Sequence, residues 1–270
     1  MFKIGKHFAS FVVALILSAV PLRAAFDPFA GPKPIAVFIE QNPWLMVIGS
    51  DTPRVTVYDN GDVIFLKKSG DNYSMQFVNL SGPELAQLEK IWAPLLAVKL
   101  KRDYSLSDAT DQTSAQLYLQ KGDQQIAVEA YGLDCGGISY AAKLESADAP
   151  PAEFYAIHKQ LCNLDFTSSE PWTPKYVEVM LWDYDYAPDK SIHWPNDWPN
   201  LESDRAVKRG DMWSIFLDGT ELPKLSAFLK TRPEKGAVEL GGKKWAASLR
   251  YTFPNEPLWR RALRARPDQE

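Results

Sequence analysis

The sequence predicts an α+β protein of two similar units, each a mostly antiparallel sheet with a helix packed on one face. Three observations carry this. β-rich runs come in pairs around tight-turn residues, and single amphipathic helical stretches separate the pairs. One strand–helix segment also recurs: Phe77 to Leu88 aligns with Ser214 to Leu225 at a constant offset of 137, each reading as a strand, a capped start and an amphipathic helix.

Taken in order, residues 1–24 read as a secretory signal peptide. Lys3 and Lys6 precede an apolar run from Phe8 to Val20, Pro21 ends the run, and Ala24 and Ala25 offer a cleavage site. The run is shorter than the roughly 20 residues that span a bilayer, so no membrane span is expected after processing. No Cys follows it to carry a lipid. The mature chain is expected to be soluble and either secreted or periplasmic. Loss of Lys3, Lys6 and Arg23 takes the formal charge from −4 to −7. An acidic body without a basic cluster is not expected to hold nucleic acid, and Arg260, Arg261, Arg264 and Arg266 read as a solvated helix end.

Residues 25–43 form a Pro-rich N-terminal arm, 44–168 the first unit and 169–270 the second, joined near Ser168 to Pro171. Strands are predicted over Arg54 to Tyr58 and Val63 to Lys67, with Asn60-Gly61 supplying the positive φ angles of a two-residue turn. A third strand runs from Tyr73 to Leu80. Ser81 and Glu84 form a capping box for a helix whose stripe is Leu85, Leu88, Ile91 and Trp92, ended by Pro94. A hairpin over Ser114 to Tyr131 and a helix over Pro151 to Leu161 close the unit. The second unit has a strand from Tyr176 to Trp182, then the recurring segment with Asp218 in the cap position of Ser81. A hairpin about Gly241-Gly242 follows. Two cysteines, Cys135 and Cys162, in an exported chain predict one disulfide. Closing that loop is worth about 3–4 kcal/mol in chain entropy.

Tyr58-Asp-Asn-Gly-Asp-Val-Ile, Leu80-Ser-Gly-Pro-Glu-Leu and Thr110-Asp-Gln-Thr resemble small secreted bacterial domains of unknown function, over roughly residues 50–132. The resemblance implies a bacterial envelope setting and a fold. It carries no catalytic residues.

Catalytic signatures are missing. There is no Gly-x-Ser-x-Gly elbow, Ser-x-x-Lys pair, His-Glu-x-x-His or phosphate-cradling loop, and no cofactor is expected. Of the two histidines beyond the leader, His158 reads as a helix-surface residue. Asp183, Asp185 and Asp189 are spaced like the start of a calcium loop. The required glycine is missing, however, and Trp194 stands where a bidentate Glu belongs, so no metal site is expected.

Seven of nine tryptophans follow residue 171, which draws attention to the Pro-rich stretch 182–199. Tyr184, Tyr186, His193, Trp194 and Trp198 lie there in a predicted loop. They form either a surface for a protein or carbohydrate ligand or a private core beneath a folded-back loop. The function expected from this is a non-enzymatic binding or envelope-associated module. The alternative is an exported hydrolase of an envelope polymer, with Asp183, Asp185 or Asp197 as acid and base.

Overall fold

In the computed structural model, residues 26–45, 51–70, 72–136 and 149–264 are described. The expected leader, residues 1–24, lies outside them. The chain is α+β, with two sheets and four helices among these residues.

The first sheet has eight strands: β1 (Pro34–Gln41), β2 (Pro53–Tyr58), β3 (Asp62–Ser69), β4 (Asn72–Asn79), β5 (Asp103–Ser105), β6 (Ser114–Lys121), β7 (Gln124–Tyr131) and β8 (Glu170–Pro171). Their order is β5-β7-β6-β1-β2-β3-β4-β8, antiparallel except for β5 beside β7. Residues 34–41 belong to the stretch expected as an arm, yet they form an interior strand. Ile35-Ala-Val-Phe-Ile39 is a continuous apolar run, the pattern of a strand buried on both faces. Helices α1 (Gly82–Glu89) and α2 (Ala152–Cys162) cover one face, where Leu88, Phe154, Ile157 and Leu161 meet Phe38, Val57, Phe65 and Leu117.

The Ser81–Glu84 capping box is present. The helix ends at Glu89, before Ile91 and Trp92, and Pro94 lies in a 3₁₀ turn over Ala93–Ala97. The β2–β3 turn differs from expectation. Only Gly61 has a positive φ (91°), so three residues connect the strands. Asn60 instead accepts the Asp62 N–H through its side chain. Any Cβ on Gly61 would lie 2.3 Å from the Leu80 carbonyl oxygen, which excludes other residues.

The second sheet contains β9 (Tyr176–Asp183), β10 (Ile192–His193), β11 (Ala206–Arg209), β12 (Met212–Asp218), β13 (Val238–Leu240) and β14 (Lys243–Tyr251), in the order β10-β13-β14-β9-β12-β11. Helix α3 (Leu222–Lys230) covers one face through Leu225. Gly241 and Gly242 both take positive φ in the β13–β14 turn, as the sequence predicts.

The recurring segment is strand then helix in both halves, but the details separate. Asp218 makes no side-chain cap bond, because its carboxylate pairs with Arg205 at 2.9 Å. Gly82 faces open space, whereas a Cβ on its aligned partner Gly219 would sit 1.7 Å from the Pro174 carbonyl oxygen. After α1 it is the first strand of the next hairpin, β6, that pairs with the sheet interior. After α3 it is the second, β14.

The halves interlock. Phe26 and Phe29 of the arm lie against Phe216 on the back of the second sheet, with ring centroids 5.8 and 5.9 Å away. In return α4 (Glu256–Arg264), from the end of the second half, lays Trp259 on Val37, Ile39 and Tyr118 at the back of the first sheet. Cys135 and Cys162 are joined as a disulfide. No helix among the described residues is long and apolar enough to cross a membrane.

Candidate functional site

The aromatic stretch divides into separate parts. Trp194 is only 5% exposed, and its indole N–H donates to the Pro199 carbonyl at 3.0 Å. Trp198 stands edge-on to it at 5.1 Å, and both pack on Phe228 of α3. These two rings therefore belong to the core of the second half, the second of the two placements that the sequence leaves open for them. β10 pairs with β13 and the Trp194 N–H donates to the Glu239 carbonyl at 3.0 Å, which holds this Pro-rich chain against the sheet while its rings are buried away from water. Tyr184 and the 81% exposed Tyr186 form a second edge-to-face pair at 5.0 Å, with no ring contact to the tryptophans among the described residues. His193 is exposed, and its Nδ1 lies 3.0 Å from the Glu239 carboxylate.

The acidic candidates hold loops. Asp183 accepts the Asp185 N–H, Asp185 the Lys244 N–H and Asp189 the Lys235 N–H, while Asp197 is exposed. Among the described residues, the single group of three His, Cys, Asp or Glu side chains with convergent ligand atoms lies elsewhere, at Cys135, His158 and Cys162.

A large apolar opening lies where the halves meet, outside the stretch 182–199 that the sequence singles out. The β3–β4 ladder runs on past the helix-covered core, from Leu66↔Met75 to Lys68↔Tyr73 and Ser69↔Asn72. Tyr73, Met75 and Phe77 point to the back of the sheet because alternate residues share a face. There β8 pairs with β4, and the Trp172 N–H donates to the Met75 carbonyl at 3.0 Å. This fixes Trp172 edge-on to Tyr251, at the end of β14, 6.1 Å away. The result is a trough of about 660 Å³, walled by Leu45, Leu66, Tyr73, Met75, Trp172 and Tyr251. Tyr73 remains 53% exposed. Burial raises the pKa of the Tyr251 hydroxyl, so it stays a neutral donor.

At one end the trough meets a second cavity of about 600 Å³, with Glu40, Arg54, Leu66 and Tyr73 common to both. Arg54 and Glu40 pair at 2.6 Å. The second cavity is polar. Its charges are Arg54, Lys67 and Lys68 against Glu40, Asp134 and Asp165, three of each sign.

The disulfide edges this cavity, with His158 beneath it. His158 is 8% exposed, not on the helix surface, and stands edge-on to Phe38 at 5.4 Å. Burial lowers its pKa from 6.5 to about 4. Asp134 opposes that shift and Arg54 adds to it. The unfolded chain then binds more protons than the folded one between those values, so stability is full above pH 6.5 and falls as pH drops toward 4. At about 1.4 kcal/mol per pH unit, the oxidised protein should lose about 3 kcal/mol more between pH 7 and pH 4 than a His158→Gln variant. Urea unfolding of both at the two pH values checks this, and equal losses would refute it.

The trough and its polar extension thus offer a long concave surface, apolar at one end and charge-balanced at the other. No family model, no curated protein and no solved structure matches this chain.

Proposed function

We propose that this chain is an exported, non-enzymatic binding module, and that its ligand lies in the trough between the halves. The observation that carries this is the trough itself. Three aromatic rings and three aliphatic or thioether side chains wall an open volume of about 660 Å³, in the size range of small-molecule sites. An apolar recess of this kind gains by excluding water from a ligand's apolar body. The adjoining cavity balances three cationic against three anionic side chains, so hydrogen bonding rather than net charge selects the other end. The ligand class that fits is an elongated amphiphile with an uncharged or zwitterionic head. The leader and the disulfide support placement outside the cytoplasm. The hydrolase alternative has less support, because Asp183 and Asp185 accept backbone N–H bonds and hold loops.

Calorimetric titration tests this with decyl phosphocholine, decanoate and decylamine, each below its micelle concentration. The zwitterion should bind most tightly. Tyr73→Ala, which removes an exposed wall, should weaken it at least fivefold with little change in melting temperature. Met75→Trp, which fills the trough, should do the same. Absence of binding by all three probes, or unchanged affinity in both variants, would sink the proposal.

A further inference from the structure

Cys135, His158 and Cys162 each bring one ligand atom to within 4.8 Å of the others. Two of them come from one helix. His158 and Cys162 are four residues apart on α2 and so share a face. His158 Nε2 lies 3.5 Å from Cys162 Sγ. Metal–sulfur and metal–nitrogen bonds of 2.3 and 2.1 Å at the tetrahedral angle give an S···N edge of about 3.6 Å, so that side of a metal site is already in place. The imidazole is also more than nine-tenths buried, and among the described residues the one hydrogen-bond partner of its ring nitrogens is that sulfur. Buried polar groups normally find a better partner than a disulfide sulfur. The cavity beside the disulfide gives a route from solvent.

We propose that reduction of the disulfide converts this group into a binding site for one thiophilic d¹⁰ cation, Zn(II) or Cu(I). A dithiol reductant supplies two electrons and two protons. The Cys135–Cys162 bond breaks, two thiols form, and the reductant leaves as its own disulfide. The cation then displaces both thiol protons to solvent and takes two thiolates and the neutral imidazole, a set that soft d¹⁰ ions favour. In the oxidised state neither sulfur is a thiolate, so the same residues hold no cation. The site is thus present in one redox state only, and it does not depend on the trough having a ligand.

The test uses the leaderless chain, reduced with a phosphine and freed of reductant. Co(II), standing in for Zn(II), is followed by thiolate-to-metal absorption. Zn(II) and Cu(I) affinities come from competition with chromophoric chelators, which also tells the two ions apart. Expected results are one ion per reduced chain, none per oxidised chain, and at least tenfold weaker binding in His158→Asn. Circular dichroism runs alongside. If reduction unfolds the chain, one equivalent of metal should restore the folded signal in the wild type but not in His158→Asn. The inference is overturned by a reduced protein without thiolate-to-metal absorption, by equal affinity in His158→Asn, or by an unfolded reduced chain that metal does not refold.

Discussion

Replacing Arg250 with Met is expected to destabilise the protein by about 3–5 kcal/mol, although no part of the trough is touched. Arg250 lies on β14 between two buried carboxylates, bonding Glu178 of β9 with one guanidinium nitrogen and Glu256 of α4 with the other. Burial works against the charge on Arg250. Glu256 and Glu178 outweigh that effect and hold the guanidinium more firmly protonated than usual. The carboxylates have further donors: the Ser214 hydroxyl on Glu178, and the Phe253 N–H and Arg260 on Glu256. Without Arg250 these would face two buried negative charges of the same sign, and the remaining cation near Glu178, Arg209, stands off at 3.6 Å. A buried ion pair adds little by itself, but an unmatched buried charge costs much. The triple variant Glu178→Gln, Arg250→Met, Glu256→Gln should therefore regain most of the loss, because no buried charge is left over. Urea unfolding decides this. A loss under about 1 kcal/mol in Arg250→Met would mean that water reaches the network.

Much of the local structure was legible in the sequence, because it rests on local chemistry. The Ser81–Glu84 capping box, the Gly241-Gly242 turn and the strand from Tyr176 to Asp183 each follow from a few adjacent residues. The disulfide follows from an even cysteine count in a chain whose first 24 residues read as a leader. How the faces of the sheets are covered is not legible in this way. Ile35 to Ile39 and Val63 to Leu66 are continuous apolar runs, a sign that the first sheet is buried on both sides. Two helices account for only one side. The other side is closed by elements more than 100 residues away, Trp172, Phe253 and Trp259, and no periodicity announces such a partner. The trough was hidden for the same reason, since its walls come from both halves. The tryptophans after residue 171 stand out as a group in the sequence, yet Trp194 and Trp198 serve the core. A cluster of aromatics in sequence does not distinguish a surface from a small core. A partner ring such as Phe228 decides it, and that ring lies thirty residues farther on.

Trp259 offers the other large effect, and one that reports how the halves depend on each other. Its ring is 1% exposed against Val37, Ile39 and Tyr118, so Trp259→Ala leaves a cavity behind strands β1 and β6. A truncation of this size costs about 3–5 kcal/mol. Helix α4 is held at its middle and at its C-terminal end by the first half. Arg260 pairs with Asp51 at 2.9 Å, and Arg102 donates to the carbonyls of Ala262 and Leu263, where the helix leaves carbonyls without partners. Loosening the helix should therefore be felt far from it in sequence. In Trp259→Ala, hydrogen exchange should quicken first in β1 and β6, more than 130 residues upstream, and not in β9, which is nearer in sequence. Among the described residues the indole N–H meets no acceptor, so Trp259→Phe removes an unmet donor along with part of the ring. That variant should cost under about 1.5 kcal/mol. If exchange quickened only in the second sheet, α4 would be a local brace, and the first sheet would owe its back cover to Phe253 and Trp172.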